Sequence, residues 1–315
     1  GGLHQPGDHV DGGGFSAAAF PDDGETLAGE QVKADILNGG KIRLPAGFDP
    51  AHRFFQKISV ARNVRRKEGI QRHLGFLGRA EQLGKPFAAV AHVEEAKREN
   101  VNLIKLMITG GVLDAKEKGV PGELKMEPEM VKAVCDKAHA LGYQVAAHVE
   151  SPQGVRVALE NGVDSIEHGA KMDDDMIRLF KEKKAFLCTT LSPALPYALF
   201  DRSITNATEV EQFNGNVVFE GIIDCAKKAI ANDIPVVLGN DVGCPWITQY
   251  DFWRELFYFH KYVGVSNTFA LYTATARAAE MAGIGAKTGT IEPGKCADFI
   301  VTAKNPLENL RALRQ

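Results

Sequence analysis

The chain has 315 residues, 44% hydrophobic and 24% charged, and 37 Lys+Arg against 40 Asp+Glu give a net charge of −3. This composition indicates a globular protein and excludes collagen-like and disordered classes. No apolar run approaches the roughly 18 residues of a membrane-spanning helix, and no basic cluster offers a phosphate-binding face, so we expect neither membrane nor nucleic-acid partners. Five scattered cysteines without a Cys-x-x-Cys pair favour reduced thiols and a cytoplasmic location.

Residues 1–95 differ in character from the rest of the chain. Val, Ile and Leu account for 16 of residues 1–90 but for 36 of the 140 residues in 101–240, and 15 of the 32 glycines fall in the first 90 positions. This stretch has no sustained hydrophobic period, and it opens on Gly1 without the basic and apolar regions of a signal peptide. We therefore predict an atypical N-terminal region over 1–95 and no signal peptide.

Strands alternate with amphipathic helices from about residue 101. The apolar runs predict strands at 102–108, 144–149, 163–168, 185–190 and 235–239. The first of these should be buried on both faces, because it is almost wholly apolar. Helices are expected over 127–141, 151–161, 173–183 and 216–232, with a long loop at 192–202. Five β units in series predict an α/β fold with a parallel sheet.

The positions of the polar residues favour a closed barrel over an open sheet. Lys105 interrupts the first strand, whereas His148, His168 and Asp241 come at the ends of later strands. In a barrel the C-terminal ends of the strands converge on one mouth, where side chains from different strands meet. His148 and His168 are one strand-plus-helix unit apart, so their imidazoles should project side by side. We therefore predict a TIM-type (β/α)8 barrel.

These residues also suggest a metal site. A single histidine at a strand end is usually a hydrogen-bonded core residue, but two histidines and an aspartate at one mouth match the nitrogen and oxygen ligands of zinc. Lys105 has two interpretations, because a buried lysine must be paired or lose its charge. It is either a snorkelling or ion-paired side chain, or a neutral amine that captures carbon dioxide and bridges metal ions as a carbamate.

Four motifs together carry a family resemblance. The runs I-K-L-M-I-T-G-G-V, A-A-H-V-E-S-P-x-G, D-S-I-E-H-G and G-N-D-V-G resemble the amidohydrolase superfamily, in particular its imidazolonepropionase-like and dipeptidase-like members. The run over 288–310 resembles the closing segment of that family, which returns to a small β-sandwich. The likeness covers about 100–311. It implies a metal-dependent hydrolase barrel over 96–283 and a C-terminal β-sandwich segment over 284–315.

The resemblance also implies roles for individual residues. Lys105 would be the carboxylated lysine on the fourth barrel strand, and His148 and His168 the ligands on the fifth and sixth. Asp241, on the eighth, would be both ligand and proton carrier. One or two divalent ions are implied, zinc before manganese, iron or cobalt. The implied activity is hydrolysis of an amide or cyclic amide C–N bond in a small molecule such as an N-acyl amino acid or dipeptide.

One family feature is missing, and it leaves alternatives open. The family has a His-x-His pair on its first barrel strand, but no His-x-His occurs in this chain, and the nearest imidazoles are those of His4, His9 and His92. Either this branch has lost or replaced one metal site, or residues 1–95 are truncated and partly out of frame. The rival functions are a catalytically incomplete remnant and a lactonase- or phosphotriesterase-like hydrolase.

Three residues are candidates for substrate binding. Tyr197 and Arg202 lie in the predicted loop after the seventh barrel strand, and Trp246 closely follows Asp241. Loops at the C-terminal ends of barrel strands carry substrate-binding groups. Arg202 could pair with a substrate carboxylate. The expected partner is a small-molecule amide, and a homo-oligomer is compatible with the sequence.

Overall fold

The computed structural model describes residues 86–248 and 250–314. Its five strands are β1 (Leu103–Met107), β2 (Gln144–Val149), β3 (Ser165–His168), β4 (Phe186–Thr189) and β5 (Val236–Leu238). Helices in the first half are α1 (Pro86–Arg98), α2 (Pro128–Ala140), α3 (Pro152–Glu160), α4 (Asp174–Lys183), α5 (Leu191–Leu199) and α6 (Arg202–Thr205). They are followed by α7 (Glu209–Ala231), α8 (Phe252–Tyr258), a π-helical turn (Phe259–Val263), α9 (Asn267–Ala274), α10 (Ala276–Met281) and a 3₁₀ turn (Leu310–Leu313).

The five strands form one parallel sheet in chain order, β1 to β5. Every strand lies beside the strand that follows it in sequence, and a helix connects each pair. A doubly wound sheet reverses its strand order at a switch point. The described sheet has no such reversal. Its strand order is the one that consecutive βα units have in the wall of a barrel. The predicted parallel α/β architecture is confirmed.

Local sequence signals set the helix boundaries. Pro128 and Pro152 occupy the first turns of α2 and α3, where a missing N–H costs nothing. The Ser151 hydroxyl accepts a hydrogen bond from the Gly154 N–H at 3.3 Å. The predicted helix start at residue 216 is wrong, because Thr208 and Glu211 form a capping box that starts α7 at Glu209.

The core lies between the sheet and the helices that cover it. Ile166 and Leu187 in the central strands are fully buried, and so is Val237 of β5. The expectation that the first strand is buried on both faces is wrong. Leu106 is the one fully buried residue of β1, and the other four, Lys105 included, are half-buried. Strand β5, at the opposite edge of the described sheet, is fully buried because helices α9 and α10 pack against it.

The predicted loop over 192–202 is also wrong, because most of it is helix α5. Pro193 and Pro196 suggested a loop, but Pro193 lies in the first turn, and Pro196 is accommodated within a buried helix. Helix α5 packs against α7. Gly215 of α7 allows this close approach, since a Cβ there would lie 2.5 Å from the Cβ of Tyr197.

The C-terminal segment does not form the predicted β-sandwich. Residues 284–314 contain turns and the Leu310–Leu313 turn, and no strand lies within this described range. Ile291, Phe299 and Ile300 are strongly exposed there. The predicted domain boundaries stay predictions, because residues 1–85, with His4 and His9, lie outside the described residues. None of the helices in the described part of the chain has the length and apolar character that a bilayer crossing requires.

Candidate metal centre

The strand register brings the two predicted histidines together. Met107 pairs with His148 and Val149 pairs with His168, so both imidazoles lie at the C-terminal end of the sheet. Their ring centroids are 4.5 Å apart with a T-shaped arrangement. Burial holds the pKa of His148 well below its usual value, and the nearby His168 and Lys105 lower it further. His148 is therefore neutral at physiological pH, the state in which imidazole binds a metal ion.

A carboxylate joins the two imidazoles. Glu150 follows β2 directly, and the ligand atoms of His148, Glu150 and His168 all lie within 4.8 Å of one another. The Val112 N–H donates to Glu150 Oε2 at 3.2 Å. Burial raises the pKa of Glu150 to about 8, and the negative charges of Asp241 and Asp114 add to this effect. Two imidazole nitrogens and one carboxylate oxygen are the donor set of many zinc sites, so the residues present fit a divalent cation.

Lys105 lies beside this group as half of an ion pair. Its Nζ is 3.9 Å from Oε2 of Glu167, a residue whose side chain is 4% exposed. The Ser165 hydroxyl donates to the other oxygen of Glu167 at 2.9 Å. The cation of Lys105 is near enough to lower the pKa of His148. The unmodified lysine therefore has the ion-paired arrangement that the sequence left open.

Asp241 follows β5 and acts electrostatically on the same group. Its negative charge raises the pKa of both His148 and Glu150. The Cys244 thiol donates to Asp241 Oδ2 at 3.3 Å. The structure thus brings Lys105, His148, His168 and Asp241 to one edge of the sheet.

Three non-glycine residues in or near this group have left-handed backbones. His168 and Asp241 have left-handed backbones, with φ of +71° and +47°, and Trp246 has φ of +63°. Such conformations cost non-glycine residues about 1–3 kcal/mol each, and they persist where the surrounding structure enforces them. Asn100, Lys184, Asn206 and Asp233 also have positive φ, so such backbones are not confined to the metal group.

Comparison with known proteins agrees with this geometry. The profile of the amidohydrolase family matches residues 21–315. The chain belongs to the amidohydrolase family. Ochratoxinase of Aspergillus niger is 26% identical over 241 residues, which are 73% of this chain and 48% of that protein. This amidohydrolase chain thus spans about half the length of the curated relative it matches.

Solved structures of related enzymes share its fold. A provisionally assigned prolidase of Bifidobacterium longum is 39% identical with a TM-score of 0.69, over 73% of this chain and 57% of that one. A Xaa-Pro dipeptidase with bound methionine in its active site is 27% identical with a TM-score of 0.63, over 73% and 55% of the two chains. The amidohydrolase chain is therefore similar to the C–N hydrolases of its family in both sequence and fold.

The predicted substrate-binding residues occupy different positions in the amidohydrolase fold. Tyr197 is buried in α5, and its ring lies 6.0 Å from that of Trp246 in a T-shaped contact. Phe200 contacts the other side of this pair, with its ring 6.4 Å from Trp246. Arg202 is exposed at the start of α6. The structure therefore brings Tyr197 and Trp246 together.

His92, the remaining described candidate for the missing ligands, lies outside the metal group. It belongs to α1, where its Nδ1 is 3.2 Å from Oε2 of Glu95. The three-residue spacing of this pair places both side chains on one helix face. His92 is thus engaged locally, and the cluster of metal-ligating side chains found in the described residues contains His148, Glu150 and His168.

Sequence reasoning missed Glu150 and two residues that position His168. Glu150 could have been found from strand periodicity, because residues i and i+2 of a strand point to the same side and His148 is two residues earlier. Thr190 Oγ1 is 2.5 Å from His168 Nδ1. Glu255 of α8 accepts hydrogen bonds from the N–H groups of Leu191 and Ser192 at 2.6 and 2.8 Å. No local sequence signal connects Glu255 with a residue more than sixty positions earlier.

Glu255 makes the hydrogen bonds at the start of α5 that the side chain of Thr190 does not make. Thr190 is the N-cap residue of α5, but its side chain makes no capping hydrogen bond. Its hydroxyl contacts His168 instead, while the buried Glu255 carboxylate satisfies the free N–H groups at the start of α5 and the Ser192 hydroxyl. Burial raises the pKa of Glu255 to about 7. Helix α8 thereby fixes the start of α5, which in turn holds the residue that orients His168.

Proposed function

We propose that this protein is a metal-dependent amidohydrolase that hydrolyses a C–N bond in a small molecule. The observation that carries the proposal is the group of His148, Glu150 and His168, whose ligand atoms lie within 4.8 Å of one another where parallel strands end. Family membership and the related prolidase and dipeptidase structures support the same reaction class. We propose further that the five strands β1 to β5 are the fourth to eighth strands of a (β/α)8 barrel.

The proposed ligands are Lys105, His148, His168 and Asp241, with zinc as the preferred ion and one or two ions per chain. A bound divalent cation would supply Lewis-acid chemistry, polarising the scissile carbonyl and acidifying a water molecule. The proposed carbamate on Lys105 is anionic and lies beside the Glu167 carboxylate. Its formation therefore depends on a cation that balances both charges, because two buried anions repel each other strongly.

Asp241 is the proposed proton carrier. The water oxygen forms a bond to the carbonyl carbon while the Asp241 carboxylate takes the proton that the water releases. Asp241 then gives this proton to the nitrogen as the C–N bond breaks, so the products are a carboxylic acid and an amine. The neutral state of His148 suits ligation rather than proton transfer. His168 is oriented by Thr190, which fixes the face that its ring presents.

The proposed substrate is a dipeptide or an N-acyl amino acid. The aromatic pair of Tyr197 and Trp246 would contact its side chain, and Arg202 is the proposed partner of its carboxylate. Related structures include a Xaa-Pro dipeptidase, so Xaa-Pro dipeptides belong in the first substrate panel. Cytoplasmic location, a small-molecule partner and a role without nucleic acid or membrane remain part of this proposal.

The test separates chemistry from metal binding. Asp241→Asn should lower kcat by roughly 10²–10⁴, the usual contribution of a general acid–base, while keeping much of the metal. Lys105→Ala should lose metal as well as turnover. Activity is measured on a panel of amides, lactones and phosphotriesters, and metal content by elemental mass spectrometry. Full activity of Asp241→Asn would contradict the mechanism, and turnover of lactones or phosphotriesters alone would replace the reaction class.

One observation favours a second candidate, a catalytically incomplete remnant. The sequence contains no His-x-His, and the unmodified Lys105 is paired with Glu167. A remnant would bind at most one ion and turn over no member of the panel. Metal-loaded protein with no activity on any substrate supports this candidate over the hydrolase.

A further inference from the structure

Glu150 occupies the position from which a third ligand would reach a metal ion between the two histidines. It follows β2 directly and is two residues beyond His148, so both side chains project from the same side of the chain. Its carboxylate lies within 4.8 Å of the ligand nitrogens of both His148 and His168. The Thr109 hydroxyl accepts a hydrogen bond from the Glu150 N–H at 3.0 Å and anchors the backbone at this point.

The surroundings of the Glu150 carboxylate provide no positive side chain. Within residues 86–248 and 250–314, no Lys or Arg forms an ion pair with it, and its hydrogen-bond donor is the Val112 N–H at 3.2 Å. The charged groups that act on it most are the carboxylates of Asp241 and Asp114. A half-buried carboxylate close to other carboxylates is stable only with a bound proton or a compensating cation, and a divalent ion between the two imidazoles would supply the second.

The loop after β1 leaves room for this carboxylate. Gly111 faces the group, and a Cβ there would lie 2.8 Å from Glu150 Oε2 and 3.5 Å from His148 Nε2. The Gly111 N–H donates to Asp114 Oδ1 at 2.6 Å, which holds the loop in this position. The absence of a side chain at residue 111 thus leaves space for the Glu150 carboxylate beside His148, whose Nε2 is 3.2 Å from the Gly110 carbonyl oxygen.

We propose that Glu150 is a protein ligand, with His148 and His168, of one divalent cation at this edge of the sheet. The inference deepens the proposed function and rests on its metal dependence. Two imidazoles and one carboxylate form a three-ligand set that leaves a fourth position open, as catalytic zinc sites do. Glu150 thereby supplies a donor that the family resemblance does not assign, in a chain that lacks the His-x-His pair. Asp241 keeps its proposed role as proton carrier.

The experiment is a titration of the metal-free full chain with Co²⁺, followed by visible absorption, and with Zn²⁺, followed by calorimetry. Glu150→Gln keeps the size of the side chain but removes the charged donor. We expect its affinity for both ions to fall by more than the roughly 10- to 100-fold that loss of an outer-sphere partner costs. We also expect the visible absorption of bound Co²⁺ to change, since the set of ligand atoms differs.

Asp114→Asn is the matched control, because it removes the charge of a neighbouring carboxylate. The side-chain oxygen of the new asparagine can still accept the hydrogen bond from the Gly111 N–H. It should leave both affinity and spectrum close to those of the unaltered chain. Gly111→Ala is a second variant. Its added Cβ should displace the end of the Glu150 side chain but leave the carboxylate in place as a chemical group, so we expect metal binding to weaken here too. Circular dichroism checks that each variant is folded, and Gly111→Ala carries the test if Glu150→Gln is not.

The outcomes separate this inference from the proposed function. Unchanged Co²⁺ affinity and spectrum in Glu150→Gln overturn the ligand assignment and leave the hydrolase proposal standing. Unchanged metal binding with lost turnover also overturns it, because Glu150 would then act on the substrate. A chain that binds neither ion before any substitution overturns both the ligand assignment and the metal dependence of the proposed function.

Discussion

Two short segments of this protein differ in structure in the direction opposite to their apolar content. Ser165–His168 forms strand β3, with hydrogen-bonded neighbours on both sides and all four residues buried. Residues 299–301, Phe-Ile-Val, are more apolar and just as suited to a strand, yet they lie in no strand and are 68–79% exposed. Composition therefore does not decide strand formation here. A strand needs partners for its backbone groups, and β3 has them in β2 and β4.

The two segments also differ in their relation to the metal group. In β3 the burial and pairing of Ile166 and its neighbours fix the strand that ends in His168, and so determine where the imidazole lies. Residues 299–301 fix no side chain of the metal group. Substitutions in the two segments should therefore differ in both stability and metal binding, and the following experiments test that difference from the largest expected effect to the smallest.

Ile166→Ala should have the largest effect on stability. Ile166 is fully buried in the middle of β3, and replacing a buried isoleucine by alanine costs about 2–5 kcal/mol through lost burial and the cavity that remains. The free energy of unfolding, measured by urea denaturation, should fall by this amount. A loss below about 0.5 kcal/mol, the range of ordinary surface substitutions, would remove the contrast with the C-terminal segment.

Glu255→Gln should change how stability depends on pH. The pKa of Glu255 rises from 4.5 to about 7 in the folded chain, so between these values the folded state holds a proton that the unfolded state has released. The raised pKa of Glu255 therefore adds to the free energy of unfolding below pH 4.5, and this contribution is lost as the pH rises towards 7. The loss is at most about 3 kcal/mol, since a shift of one pKa unit equals about 1.4 kcal/mol.

Urea unfolding of both proteins at several pH values between 4.5 and 7 measures this difference. The unaltered chain should lose stability relative to Glu255→Gln over that interval, because glutamine does not ionise. Parallel pH profiles of the two proteins would show that Glu255 has an ordinary pKa. The result sharpens the comparison, since it reports on the long-range contact between Glu255 of α8 and the start of α5.

Gly215→Ala should have a smaller but clear effect at the contact of α5 with α7. The added Cβ would lie 2.5 Å from Tyr197 Cβ and 2.9 Å from its carbonyl carbon, and the second of these is backbone that moves little. Overpacking of this kind costs about 1–3 kcal/mol. Thermal unfolding followed by circular dichroism measures it. Gly142→Ala is not a suitable control, because its φ of +80° adds strain of another kind.

Ile300→Ala should have the smallest effect. Its side chain is 79% exposed, and substitutions at such positions usually change stability by less than about 0.5 kcal/mol. Urea denaturation beside Ile166→Ala, the same chemical change in β3, gives a matched pair. A loss above 1 kcal/mol at residue 300 would mean that the C-terminal segment is packed in solution, and the contrast between the two segments would fail.

Much of the fold could be predicted because its signals are local. Each of the five strands lies within its predicted range, and α2, α3 and α4 agree with their predicted bounds to within about a residue at each end. Buried parallel strands are continuous apolar runs, and proline and capping residues mark helix starts within a few positions. The errors have equally clear causes. The prolines of α5 suggested a loop, and the capping box that extends α7 was overlooked.

The candidate site was predictable in part. His148 and His168 could be placed side by side because strand ends and repeat length are visible in the sequence, and Lys105 was visible as a charge within an apolar run. The ion pair of Lys105 with Glu167 could not be chosen over the alternatives, because it joins residues of strands that are two apart in the sheet. The sandwich predicted for 284–315 came from family resemblance, and the described residues do not form it.

The sequence by itself determined the order of strands and helices, the parallel sheet and the imidazoles at its C-terminal edge, because these follow from hydrophobic period and from short-range steric and hydrogen-bonding rules. Only the tertiary structure decided that Glu150 joins the two histidines, that Glu255 caps α5, and that Thr190 contacts His168. These contacts depend on atoms far apart in the chain. Burial then shifts the pKa values of Glu150 and Glu255, and no local sequence pattern indicates these shifts.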